Sequence, residues 1–408
     1  MQEFDVYLGI DVGRGTHQVF MEDEEGTTHE WTMTHRHESF ETLKDHLSEA
    51  TDGDLTTVVV GVEGQNGHLM PLDRYLVEWG CEVRNVDARK LRSFRDTFGV
   101  PCKTDVEDAR LLVHLLKQGT QLYKDGKPPY HRVQLAGMNR RKLKKWSRYQ
   151  KTLIEEKTRM INRLTQRIHE VCPELLDVAN LKGTRMLRML KTYPDVRGLK
   201  QVTPDGLESI QQIGPKTAEQ FHQALQDLEY DSAMVDVYTP MIEQMATRIL
   251  ELRQQIQQLD ERIEKLSESI EAIGYLESIK GCATKTASRL LGEIGRVEWF
   301  DSHNELAAYL GVACVDHQSG DQDGAKPVYP SNTLGKECMM NLAGKMIQHD
   351  PESRQYYDKK RDEGKKHFDA LRRVARQLVK IIYRMLAEQR EYVPYSEHSQ
   401  QSEGKQAA

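Results

Sequence analysis

Between Ile242 and Ile273, ten apolar residues recur at alternating steps of three and four: Ile242, Met245, Ile249, Leu252, Ile256, Leu259, Ile263, Leu266, Ile270 and Ile273. That spacing draws one apolar stripe along a helix. At 1.5 Å per residue the stripe is about 48 Å long, and only a second long helix can cover it. Isoleucine at one set of stripe positions and mostly leucine at the other favours a two-stranded coiled coil. Two partners fit. One is a second copy of the chain; the other is the segment Leu143–Val171, where Leu143, Trp146, Leu153, Ile154, Ile161, Leu164 and Ile168 recur at helical spacing among basic side chains. The pattern demands a partner helix without saying whose.

The first 130 residues follow a different period. Phe4, Val6, Leu8 and Ile10 alternate with polar or small residues up to Asp11, which predicts a strand. Thr16–Met21 and Thr27–Thr34, joined by an acidic turn, continue it as a hairpin. Thr56–Val62 is a continuous apolar run suited to a buried parallel strand ending at Glu63, and Glu82–Val86 makes another short strand. Helices are expected around Phe40–Glu49, Leu69–Trp79 and Thr104–Leu116. Three antiparallel strands followed by helix–strand repeats describe an RNase H-like α/β sheet.

At 408 residues the chain is long enough for two or three domains. No apolar run approaches the length of a membrane span, and the first residues lack the pattern of a signal peptide, so a cytoplasmic, nucleoid-associated protein is expected. Six scattered cysteines with no C-x-x-C pair argue against both a disulfide framework and a zinc ribbon.

The small net charge of −6 hides a strong segregation. Residues 1–130 carry 14 basic and 24 acidic side chains, residues 131–191 carry 16 and 5, and residues 192–408 carry 27 and 34. Fields are local beyond a Debye length, so the middle segment attracts a polyanion whatever the average. A second basic stretch runs from Arg354 to Arg384. Candidate phosphate contacts are Lys103, Arg140, Arg141, Lys144, Lys145, Arg148, Arg163, Lys280, Lys365, Lys366, Arg372 and Arg373. Trp146, Tyr149, Tyr356 and Tyr357 are positioned to stack on bases or to pack. Ile279-Lys280-Gly281 and the run after it resemble a helix-hairpin-helix turn, with a looser echo at Ile213-Gly214-Pro215.

Four acids fall where such a sheet would gather them: Asp11 after the first strand, Glu63 after the fourth, and Asp105 and Asp108 three apart at a helix start. Clustered carboxylates repel unless a cation neutralises them, and an all-oxygen set selects Mg²⁺ or Mn²⁺. Such ions assist phosphoryl transfer. Each acid taken alone also suits helix capping.

These residues resemble the DEDD-type insertion-sequence transposases, the "IS one-ten" family of bridge RNA-guided serine recombinases. The motifs are Gly9-Ile10-Asp11-Val12, Val62-Glu63, Lys103-Thr104-Asp105-x-x-Asp108-Ala109, Leu306-Ala307-Ala308-Tyr309-Leu310-Gly311, Gln318-Ser319-Gly320 and Gly364-Lys365-Lys366. The resemblance implies that Asp11, Glu63, Asp105 and Asp108 hold Mg²⁺ and that Ser319 forms a phosphoserine link to DNA. It further implies donor and target double-stranded DNA as substrates, a guide (bridge) RNA, and a homo-oligomer in which dimers build a tetramer. The loop after Glu63 is one residue longer than the common spacing, and no proline precedes Ser319.

The expected organisation is a DEDD catalytic domain over 1–130, a basic helix and coiled-coil region over 131–275, a mostly α-helical transposase domain over 276–393, and a disordered tail over 394–408. Two other readings fit part of the pattern. One is a hydrolytic, metal-dependent Holliday-junction-type nuclease. The other is an actin-like ATPase or kinase, whose first phosphate loop Gly9–Thr16 would match.

Overall fold

Alternation at the start of the chain buries Val6, Leu8 and Ile10 completely in strand β1 (Val6–Val12). Strands β2 (Thr16–Glu22) and β3 (Thr28–Thr34) follow antiparallel, with Asp11 opposite Gln18 and Val19 opposite Trp31. Helix α1 (His37–Ala50) turns Phe40, Leu43 and Leu47 inward. Strand β4 (Val58–Glu63) then enters beside β1, parallel to it, with Ile10 opposite Val62. After α2 (Leu72–Glu78), strand β5 (Glu82–Val86) pairs parallel to β4. Helices α3 (Ala88–Thr97) and α4 (Asp105–Leu122) precede β6 (Tyr130–Arg132), antiparallel to β5. The sheet order is β3-β2-β1-β4-β5-β6, a mixed α/β sheet compatible with the RNase H-like expectation. Helix α3 and strand β6 were not expected.

The structure, a computed structural model, describes residues 4–63, 69–86, 88–97, 104–122, 130–178, 180–181, 183–319, 322–327 and 332–394. It divides into two units, Met1–Leu135 and Ala136–Ala408.

In the first unit α1 and α2 cover one sheet face, where Phe40, Leu72 and Leu76 meet Leu8, Val60 and Val62. Helix α4 covers the other. Two glycines allow it to lie close. A Cβ at Gly9 would fall on the Ala109 carbonyl oxygen, and one at Gly61 would meet Leu116 at 3.0 Å.

The second unit is built on α5 (Met138–Val171). Five short helices follow: α6 (Leu175–Val178), α7 (Thr184–Thr192), α8 (Val196–Gln201), α9 (Pro204–Glu208) and α10 (Pro215–Gln226). The chain then returns along α5 as α11 (Ser232–Ser267). Gln150 reaches Asp260, Arg248 binds Glu156 at 2.9 Å, and Arg167 meets the Tyr238 hydroxyl at 3.4 Å. Rising numbers on one helix meet falling numbers on the other, so the two are antiparallel.

The apolar stripe is therefore covered within the chain. Ile242, Ile249, Leu252, Leu259 and Ile263 are buried. Of the two partners the sequence left open, the structure pairs the stripe with the Leu143–Val171 helix. The periodic run is not one helix. It breaks after Ser267, where the Ser267 and Ser269 hydroxyls donate to the Ile263 and Leu266 carbonyls. Serine competes in this way with regular backbone pairing, and Ile270 becomes the residue before α12 (Glu271–Glu277).

Helices α13 (Thr284–Ile294) and α14 (His303–Tyr309) lead into a hairpin of β7 (Cys314–Ser319) and β8 (Gln322–Pro327), then α15 (Thr333–His349), α16 (Pro351–Asp362) and α17 (His367–Glu388). One apolar core joins Leu143, Leu153, Leu252 and Leu259 to these C-terminal helices. A second joins Leu164 and Ile168 to α6–α10 and to Ile242 and Ile249. Cys81, Cys172, Cys282 and Cys338 are buried and free, and burial pushes the Cys81 and Cys282 thiols up to about 12. Residues 395–408, the body of the expected tail, lie outside the described residues. No described helix is long and apolar enough to cross a membrane.

Candidate functional site

Parallel pairing fixes what stands at the carboxyl ends of β1 and β4. Extending the Ile10–Val62 register by one residue sets Asp11 beside Glu63 on adjacent strands, with side chains on one face. Because strand side chains alternate, that face is the one presented by Gly9 and Gly61, under α4. The helix runs antiparallel to β1. Lys117 lies over the Tyr7 ring at 4.8 Å, and Ala109 lies over Gly9. Two strand residues and four helix residues cover nearly equal distance, so the next step brings Asp105 towards Asp11. Arg110 anchors this end of α4, bonding Glu30 at 2.8 Å and lying over Phe20 at 5.3 Å.

Asp105 is exposed as the first residue of α4. Asp108 is not beside it in environment. Its carboxylate is buried and forms an ion pair with Arg95 of α3, which is also largely buried. The two acids stand three apart at the helix start, as expected, but Asp108 is tied to α3 through Arg95 whereas Asp105 is exposed. Among the described residues no group of three His, Cys, Asp or Glu converges closely enough to hold a metal ion. Lys103 and the Gly64–His68 loop lie outside the described residues.

Ser319 closes β7, with its backbone paired to Gln322 across the hairpin. Its side chain lies outside the described residues.

The basic candidates separate into two sets. Arg140 donates to the Gly295 carbonyl, and burial holds its pKa below the usual guanidinium value. Arg148 binds the fully buried Glu293 through two bonds of 2.8 Å. Lys144 reaches the Tyr309 hydroxyl at 3.5 Å, Arg372 binds Asp369 at 3.1 Å, and Lys280 sits 3.9 Å from Asp350. These cations serve the fold first. Lys145, Arg163, Lys365, Lys366 and Arg373 are exposed, and Arg141 is half-buried. Tyr357 is buried and bonded to His367 at 2.7 Å, Trp146 and Tyr356 pack against the core, and Tyr149 is exposed.

Sequence reasoning missed two polar residues at these positions. Arg95 belongs to the run Arg89-Lys90-x-Arg92-x-x-Arg95, whose helical spacing was a usable signal. Glu293, an acid inside the apolar run Leu290-Leu291-Gly292-Glu293-Ile294, was another. Burial opposes its charge, but bonds from Arg148 and from Asn332 at 2.6 Å outweigh it and hold the carboxyl below its ordinary range.

The sequence profile of a DEDD transposase family named for IS110 matches residues 8–173, and a second, "Transposase IS116/IS110/IS902 family", matches residues 274–358. The chain belongs to the IS110 family of transposases. Relatives agree with that placement. The 44.8 kDa protein of insertion element IS116 from Streptomyces clavuligerus is 25% identical over 95% of this chain and 96% of its own length. The 43.6 kDa protein of IS110 from Streptomyces coelicolor is 24% identical over 75% of this chain and 76% of its own. A protein of IS900 from Mycobacterium paratuberculosis is 35% identical over 24% of this chain and 25% of its own. As an IS110-family transposase the protein is a DNA-processing enzyme, and its first profile spans all four carboxylates.

Proposed function

We propose that this IS110-family transposase cuts and rejoins donor and target DNA by transesterification at the carboxylate end of its first unit, through a phosphoserine link made by Ser319. The observation that supports this reading best is the register of β1 with β4, which pairs Asp11 with Glu63 beneath the first turn of α4. Two carboxylates so placed are costly without a cation, and an all-oxygen donor set suits Mg²⁺ or Mn²⁺. Asp11, Glu63 and Asp105 would hold the ion; Asp108 would join them on release from Arg95. A bound divalent ion lowers the proton affinity of an attacking oxygen and stabilises the charge of a leaving one.

In the reaction, the Ser319 Oγ forms a bond to phosphorus, and the bond from phosphorus to a deoxyribose oxygen breaks. The proton lost by the serine is gained by that leaving oxygen. Attack by a hydroxyl end of another strand reverses the step and frees the serine, so no phosphodiester energy is lost to water. Arg141, Lys145, Arg163, Lys365, Lys366 and Arg373 are the cations placed to meet nucleic-acid phosphates. The resemblance extends the proposal to a guide RNA pairing with both DNAs, a tetramer built from dimers, and a place in the cytoplasm on the nucleoid.

Asp11→Ala and Asp105→Ala should each reduce DNA strand exchange to background while leaving oligonucleotide binding within about twofold, since neither acid contributes to phosphate affinity. Strand exchange retained by either variant would overturn the carboxylate assignment.

A further inference from the structure

Residues 174–273 lie between the two matched family regions, and within them α7 and α11 flank a recess of about 500 Å³. Its lining is polar and cationic. Arg188, Lys191 and Arg253 face it against a single lining acid, Glu251, which is bonded to Arg248 at 3.3 Å. Arg188 donates to the Gln211 carbonyl at 3.0 Å, and Arg253 to the Thr184 hydroxyl at 2.7 Å. Among the described residues no carboxylate pairs with Arg188 or Lys191. Burial lowers the Arg253 pKa, which marks a partly dehydrated guanidinium at the recess wall.

The rest of the lining supplies amides. Gln212 holds a left-handed backbone, with φ of +73°, a conformation uncommon for a residue with a side chain. The turn that carries it is pinned by the bond from Arg188. Gln254 projects from α11 one turn before Gln257, and both line the same space. The Gln212 and Gln254 amides make no bond within the described residues. An amide offers one acceptor and two donors, the complement of a base edge.

We propose that this recess binds one nucleotide of an unpaired nucleic-acid strand, its phosphate on Arg188, Lys191 and Arg253 and its base edge on Gln212 and Gln254. The volume falls within the range of small-ligand pockets. A paired base keeps its edge occupied and stacked, whereas recognition of unpaired strands works through splayed bases and cations together. The proposal rests on reading the chain as a nucleic-acid enzyme, and it adds a place of contact outside the carboxylate site.

The test uses the full-length protein with fluorescent single-stranded RNA and DNA of one mixed sequence, titrated over a range of salt. Lys191 and Gln254 are exposed, so Lys191→Ala and Gln254→Ala keep the fold, which a thermal melt checks. Lys191→Ala should weaken binding of at least one probe about fivefold and reduce the salt slope by about 0.7. Gln254→Ala should weaken the same probe about threefold with the slope unchanged, because no phosphate contact is lost. Wild-type affinity and slope in both variants overturn the recess, whether or not strand exchange proceeds in the same preparations. Weakened binding of free AMP with unchanged binding of both strands also overturns it. A chain that neither binds strands nor exchanges them overturns the recess and the transposition chemistry together.

Discussion

At position 9 the space between β1 and α4 admits no side chain beyond hydrogen, since any Cβ would overlap the Ala109 carbonyl. The same contact sets how far Asp105 stands from Asp11. Gly9→Ala should therefore cost about 1–3 kcal/mol in urea unfolding, the scale of overpacking, and should remove strand exchange even where the protein remains folded. Glu293 gives a second prediction. Its depressed carboxyl pKa means that the ion pair with Arg148 contributes stability above the unfolded carboxylate range, lost as pH falls through the folded value. Arg148→Met should destabilise the protein by about 2–3 kcal/mol at neutral pH, discounted because Arg148 is half exposed. The gap to wild type should close as pH falls through the depressed folded value of Glu293. A pH-independent gap measured by chemical unfolding would refute the charge argument. At this scale the sequence was legible where a residue's place depends on its own strand, as for Asp11 and Glu63. It was not legible for Asp108, whose partner Arg95 lies 13 residues away and is brought to it by α3 packing.

Among the elements, the strands of the first unit could be read from alternation because one face of each is buried. Helix α3 was harder to see: four basic residues interrupt its ten, and its apolar side is only Leu91 and Phe94. The β7–β8 hairpin escaped because Asp316, Asp323 and Gly324 are poor strand formers, although Gly320-Asp321 is a dipeptide suited to a two-residue hairpin link. The long stripe of α11 was plain, yet its partner was not, since periodicity specifies a face and not the chain that covers it. The antiparallel pairing of α5 and α11 yields a prediction. Leu252→Ala, at a fully buried position, should cost about 2–5 kcal/mol and leave the mass measured by sedimentation equilibrium unchanged. Dissociation of the oligomer at undiminished monomer stability would mean that the stripe serves a second copy.

For the whole molecule, the segregation of charge has a functional sense. The first 130 residues carry an excess of acids, with Asp11 and Glu63 at strand ends and Asp105 opening α4, while basic residues gather along α5 and from α16 into α17. Nucleic acid would be attracted to these basic segments more than to the acidic first 130 residues. Covalent chemistry can be read directly. After reaction of DNA with the protein and Mg²⁺, proteolysis and mass mapping should recover a peptide joined to DNA at Ser319, absent from Ser319→Ala and from Asp105→Ala. An adduct on another residue, one that survives in Ser319→Ala, or DNA released only as free ends would contradict the account.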